Sequence, residues 1–171
     1  MAAFSVLCCL FSSFLVGCND RDYPLGLDEY AHHYYIVHVP NNNSVVQVNK
    51  NKSDLLELPL QFYSEFERNY DAVATYTISI TDLKETEEPA ILGEDFQIVD
   101  ADGQVLQAKD GLYEITFPKA KKSTAAIYVK LLNNPNASGT RFVNINLVDN
   151  IQDQYRVDIF STAFKRTLQI N

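Results

Sequence analysis

From residue 34 to the end of the chain, apolar residues recur at every second position, not every third or fourth. Leu56, Leu58, Leu60 and Phe62 alternate with Glu57, Pro59 and Gln61. Ala74, Tyr76, Ile78 and Ile80 alternate with Thr75, Thr77 and Ser79. The pattern returns in Tyr113, Ile115 and Phe117, in Ile127, Val129 and Leu131, and in Val143, Ile145 and Leu147. Tyr155, Val157 and Ile159 repeat it, and Leu168 and Ile170 close it. A period of two belongs to half-buried strands, whose successive side chains point to opposite faces. Turn formers separate the runs: Asn41-Asn42-Asn43, Asp100-Ala101-Asp102-Gly103, Asp110-Gly111 and Asn133-Asn134-Pro135-Asn136. The DADG stretch between FQIV and QVLQ reads as a hairpin. Short one-sided strands at this spacing predict an all-β, two-sheet antiparallel β-sandwich. Pro59 removes a ladder donor, so its segment is expected at an edge or with a bulge. Residues 64–72, SEFERNYDA, fit a short helix or a loop.

The totals narrow the function classes. The 171 residues carry 14 Lys and Arg against 22 Asp and Glu, a net charge of −8. An acidic surface repels phosphate backbones, so no nucleic-acid partner is expected. The three cysteines are Cys8, Cys9 and Cys18, which leaves the body without a disulfide framework or a thiolate metal site. No GxSxG or HExxH motif is present, the body has no free thiol, and the chain has no Trp for sugar stacking. The expectation is a protein that is not an enzyme.

Residues 2–17, AAFSVLCCLFSSFLVG, hold no charge. Sixteen residues with several small polar positions are short for a membrane-spanning helix, which needs about 20. They fit a signal-peptide core, followed by small residues at a cleavage point. Leu15-Val16-Gly17-Cys18 resembles a bacterial lipobox. That resemblance implies diacylglycerol on the Cys18 thiol, removal of residues 1–17, and a membrane partner reached through the lipid. Met1-Ala2-Ala3 supplies no Lys or Arg before the core, so either the start codon lies upstream or the signal is weak. Asp20 and Asp22 are similar to the acidic surface-export signal of Bacteroidota lipoproteins, interrupted by Arg21. Residues 18–33 are polar and turn-rich and read as a tether to a domain over 34–171.

The stretches AILGEDFQIV, LYEITFPKAKKSTAAIYVKLLN and RFVNINLV, within 90–148, together resemble the Calx-beta class of immunoglobulin-like domains. Gly93-Glu94-Asp95-Phe96 is the anchor of the likeness. The opening YYIVHVP and the closing YRVDIFSTAFKRTLQI are similar to immunoglobulin-like domains of uncharacterised Bacteroidota surface lipoproteins. The resemblance implies an immunoglobulin-like sandwich and a calcium option through clustered carboxylates. Here the acidic cluster expected before the last strand is replaced by NNPNASGTR. Asp95, Asp100 and Asp102 are the metal candidates, and hydrogen bonding at turns and strand ends is the reading preferred for them. No cofactor is expected.

Other candidates come from the residues themselves. His32, His33 and His38 lie too far apart along a strand to share one metal, and read as exposed strand positions. Tyr34, Tyr35, Tyr63 and Tyr70 are the candidate ligand contacts, because tyrosine at a sheet end can stack on a sugar or anchor a protein. Lys119, Lys121 and Lys122 form a basic turn in an acidic chain. Together these features predict an outer-membrane lipoprotein of the cell envelope, surface-exposed or periplasmic. It would be a binding accessory of a glycan or nutrient uptake system, touching a glycan or an outer-membrane protein complex. The alternatives are an adhesin or fimbria-associated module and a calcium-stabilised Calx-beta-type domain. Cys18→Ala is expected to release the chain from membranes; retention of that variant in the membrane fraction with residues 1–17 still attached would contradict the lipobox reading.

Overall fold

The computed structural model describes residues 31–171; the Leu15-Val16-Gly17-Cys18 lipobox and most of the expected tether lie outside the described residues. The strands are β1 (His33–His38), β2 (Val45–Val48), β3 (Leu56–Tyr63), β4 (Ala72–Ser79), β5 (Glu88–Pro89) and β6 (Phe96–Val99). They continue as β7 (Tyr113–Phe117), β8 (Ser123–Leu131), β9 (Arg141–Val148), β10 (Asn150–Ile151), β11 (Arg156–Ile159) and β12 (Lys165–Ile170). One sheet runs β10-β11-β1-β3-β8-β6 and the other β2-β12-β9-β4-β7, with β5 beside the start of β9. The architecture is the two-sheet β-sandwich that the alternation predicts. The sandwich begins before residue 34: β1 opens at His33, and the Arg156 amide donates to the His32 carbonyl.

The period-two residues meet between the sheets. Leu58, Leu60, Phe62, Ile127 and Val129 of one sheet face Ala74, Tyr76, Val143, Ile145, Leu147 and Leu168 of the other, all buried. Phe62 and Phe117 stack across the gap, ring centroids 4.2 Å apart at 11°. Tyr76 and Tyr113 are register partners on β4 and β7 and stack at 5.1 Å. Burial pushes both phenols up. The alternation ends one residue early, because Ile80 lies beyond the end of β4 and is exposed.

Pro59 sits in an interior strand, not at an edge. β3 lies between β1 and β8, and its register with β8 runs without a bulge through Leu58↔Ile127, Pro59↔Ala126 and Leu60↔Ala125. The Pro59 carbonyl accepts from the Val39 amide, so the nitrogen that lacks a hydrogen faces the same side. β1 ends there, at His38, and the next peptide bond but one, Val39–Pro40, is cis. The missing donor removes only the return bond of the Val39–Pro59 pair, at the rung where β1 ends. Residues 64–71 form a loop of turns without a helix.

Most pairings are antiparallel, and three are parallel: β1 with β11, β2 with β12, and β5 with β9. Two of these arise because the chain crosses from one sheet to the other between β1 and β2. Each half then lies beside a C-terminal strand running the same way. The crossing is fastened by Arg166, only 1% exposed on the inward face of β12. Its guanidinium donates to the Pro40 carbonyl at 2.9 Å, to Asn42 Oδ1 at 3.2 Å and to Ser44 Oγ.

His38, next to this hub, is fully buried, which corrects the expectation of an exposed strand position. The even positions of β1 point inward, and His38 belongs with Tyr34 and Ile36. Its Nε2–H donates to the Ile145 carbonyl at 3.3 Å, and Nδ1 has no partner among the described residues. Burial, and then the Arg166 charge, lower its pKa from 6.5 to about 4. Between those values the unfolded chain binds the proton and the folded chain does not, so stability falls as pH drops through that window. The stability advantage of wild type over His38→Gln, measured by urea denaturation, should shrink by about 3 kcal/mol from pH 7 to pH 4; a difference that stays constant with pH would contradict the assignment.

Candidate functional site, an aromatic cleft beside the first strand

The odd positions of β1 face outward. Tyr35 is the register partner of Tyr63 on β3 and of Asp158 on β11, so all three side chains share the outer face of one sheet. Tyr35 stacks between two rings, His33 at 5.0 Å and 24° and Phe160 at 5.0 Å and 15°. Tyr63 is 39% exposed and Phe160 42%. The His33 Nε2–H donates to Asp158 Oδ2, while the Arg156 guanidinium donates to Asp158 Oδ1 at 2.7 Å and 3.0 Å. Burial alone would raise the Asp158 carboxyl; the hydrogen bonds from Arg156 and His33 outweigh it and hold the group below the usual carboxylate range. This network fixes the His33 ring, and through it the Tyr35 ring.

The 64–71 loop walls the other side. Its backbone is tied to the tight turn Pro118–Ala120: the Arg68 amide donates to the Lys119 carbonyl at 2.7 Å, and the Lys119 amide to Asp71 Oδ1 at 2.8 Å. Those bonds hold Lys119 and Ala120 at positive φ, 56° and 45°. The Arg68 guanidinium donates to the Ala31 carbonyl and lies 5.6 Å from the Phe66 ring centroid. Lys121 pairs with Glu67, and the Lys122 ammonium lies 5.7 Å from the Tyr63 ring centroid. Between wall and sheet opens a cleft of about 400 Å³, with Tyr35, Tyr63, Phe66, Arg68, Lys122 and Glu65 around it. Flat ring faces beside charged donors suit a ligand with one apolar face and a polar rim.

The four tyrosines singled out from sequence converge here with different parts. Tyr63 offers ring surface, and Tyr35, sandwiched between His33 and Phe160, lines the cleft beside it. Tyr34 is the floor, 2% exposed, its hydroxyl 2.6 Å from that of Tyr70. Tyr70 stands behind the cleft as a support: it bonds His32 Nδ1 at 2.6 Å and stacks on Tyr155 at 5.6 Å. Burial, then the Tyr34 hydrogen bond, push the Tyr70 phenol up. Of the basic turn, Lys122 reaches the cleft, whereas Lys121 is held by Glu67. Sequence reasoning missed Arg68 and Phe160. Phe160 lies just past β11 and could have been sought from the outward parity of Tyr35; Arg68 carries no sequence signal.

The metal candidates do not converge. Asp95 is buried, its Oδ2 accepting from the Ile91 amide at 2.7 Å and its Oδ1 from Asn134 Nδ2 at 2.8 Å. It closes the turn before β6, where Gly93 takes φ +90° and its amide donates to the Phe96 carbonyl. Asp100 Oδ1 accepts from the Asp102 and Gln104 amides at 3.0 and 2.8 Å, capping the hairpin after β6. Among the described residues no group of three or more His, Cys, Asp or Glu is placed to hold a metal ion.

No protein-family model matches the chain, and no curated protein matches it. Solved structures do. The apo form of the Calx CBD1 domain superimposes with a TM-score of 0.52 at 14% identity, covering 80% of this chain and 95% of that one. The CBD12 segment of CALX1.2 gives 0.49 at 13% identity, where the match spans 44% of the longer chain. The Calx CBD2 domain gives 0.47 at 9% identity, over 80% and 85%. The fold is therefore Calx-beta-like. Asp95→Ala should cost about 2 kcal/mol in urea denaturation without calcium, since it removes the acceptor of two part-buried hydrogen bonds; the wild-type melting temperature should be equal in calcium and in chelator, and a rise with calcium would show that metal binds the folded state.

Proposed function

We propose that this protein is a non-enzymatic, lipid-anchored component of the cell envelope, attached to the outer membrane through Cys18. In this reading the cleft beside β1 binds a saccharide for a glycan or nutrient uptake system. The observation that carries it is the pairing of Tyr35 with Tyr63 on one outer face, braced by His33 and Phe160 and walled by the 64–71 loop. Tyrosine gives a large, rigid contact area at low entropic cost, with a hydroxyl to spare for a sugar's own. The fixed Asp158–His33–Tyr35 contacts add preorganisation, which lowers the cost of binding.

A strand-pairing adhesin is the second reading, favoured by the exposed Val45 and Ile151 on the edge strands β2 and β10. Those edges are four and two residues long, which offers a partner strand few ladder bonds. A glycan array probed with the full chain in mild detergent is expected to return a defined set of saccharides, and Tyr63→Ala should weaken their binding about tenfold. Binding to no saccharide, or binding unchanged in Tyr63→Ala, would contradict the proposal.

A further inference from the structure

His38 and Arg166 bring two titratable groups to one point of the core. Arg166 is the register partner of Ile145 on β9, and the His38 imidazole donates to the carbonyl of that same Ile145. The two side chains are 0% and 1% exposed. The Pro40 carbonyl that Arg166 holds lies just past His38 in the chain. A proton added at the unpartnered His38 Nδ1 would meet no acceptor among the described residues. The surrounding elements bring no counter-charge: β3 sets Leu60 opposite His38, β9 gives Ile145, and the turn after β11 gives the Ala163 carbonyl, which the His38 amide already uses. The charged group that acts on His38 is Arg166 of β12. A protonated His38 would therefore be a second buried cation beside the first, with one N–H unpaired.

The relief that disturbs least is local. Residues 39–43 of the crossing are exposed and Ser44 is half-buried, whereas Tyr34 and Ile36, inward on the same strand, belong to the core cluster. The crossing is held by polar contacts: the Arg166 bonds to Pro40, Asn42 and Ser44, and the Asn43 side chain bonded to the Lys165 amide and the Ser161 carbonyl. β2, which follows it, is an edge strand of four residues. Peeling this segment away lets water reach both cations and leaves the apolar layer packed. We propose that the β1–β2 crossing is an acid-operated latch: when His38 takes up a proton, residues 39–44 detach from Arg166 and the rest of the sandwich stays closed. The latch sits at the end of β1 away from the cleft, and the inference does not rest on the saccharide reading. The opened form binds the proton near 6.5 and the closed form only near 4, so the latch holds at neutral pH and loosens as pH falls through that window. From pH 7 to pH 5 the opened fraction should rise about 20-fold.

The test follows amide hydrogen exchange of the full chain in mild detergent at pH 7 and pH 5, with rates corrected for the intrinsic effect of pH. Amides of residues 41–48 are expected to lose about 20-fold in protection at the lower pH. They should exchange faster than those of β3 at both pH values, and urea below the unfolding transition should not change their rates, since a local opening exposes little surface. In His38→Gln the protection of residues 41–48 should be equal at the two pH values. Should that variant not fold, the isotopically labelled His38 ring of the wild type replaces it, and its titration should track the loss of protection in the crossing. Protection that does not change with pH, a pH response that survives in His38→Gln, or a ring that titrates apart from the crossing would overturn the latch. So would a loss that shares the rate and the urea dependence of β3, because global unfolding alone would then account for it.

Discussion

A buried guanidinium holds this sandwich in its register. Arg166 has no carboxylate partner among the described residues; it is satisfied by neutral oxygens of Pro40, Asn42 and Ser44. Burying a charge is costly unless its hydrogen bonds are made. Those bonds form only when the crossing between β1 and β2 folds back over β12. Burial weakens the hold of Arg166 on its proton, and the same charge helps keep His38 neutral. The consequence reaches the outer surface. Fixing the crossing fixes where β1 lies between β3 and β11, and so which β1 side chains face out. A slip of one residue would send Tyr35 into the core and Tyr34 into solvent, and the cleft would lose its ring pair.

The alternation of apolar residues was enough to read the two sheets, the burial of Leu58, Leu60, Phe62, Ile127, Val129, Val143, Ile145 and Leu147, and the hairpin at Asp100–Gly103. Those features depend on local periodicity and turn chemistry. What depended on long-range pairing was not legible. Pro59 reads as an edge signal, yet it is tolerated inside the sheet because β1 ends opposite it, a fact of the partner strand. His38 reads as exposed because histidine usually is, and its burial follows from the side of β1 it shares with Ile36. Arg166 shares the inward parity of Leu168 and Ile170, but its charge gives no sign of burial.

The candidate site divides in the same way. Tyr34, Tyr35, Tyr63 and Tyr70 stood out by composition, and the structure brings them into one neighbourhood across β1, β3 and the 64–71 loop. Which of them can touch a ligand is a matter of strand parity and hydroxyl pairing: Tyr63 presents its ring and Tyr35 lines the cleft beside it, while Tyr34 and Tyr70 spend their hydroxyls on each other. The carboxylates Asp95 and Asp100 accept backbone and amide hydrogens in turns, so their chemistry is used within the fold.

If the cleft is the binding surface, a ligand meets the outer face of β1 and β3 and nowhere else on the sandwich. Amide chemical-shift mapping of the isotopically labelled protein, titrated with a saccharide that binds on the glycan array, tests this directly. Shifts are expected to concentrate at residues 31–35, 61–68 and 119–123, with the hairpin at 100–104 and the turn at 109–112 unmoved. Shifts centred on those distant turns, or spread evenly over the surface, would contradict it.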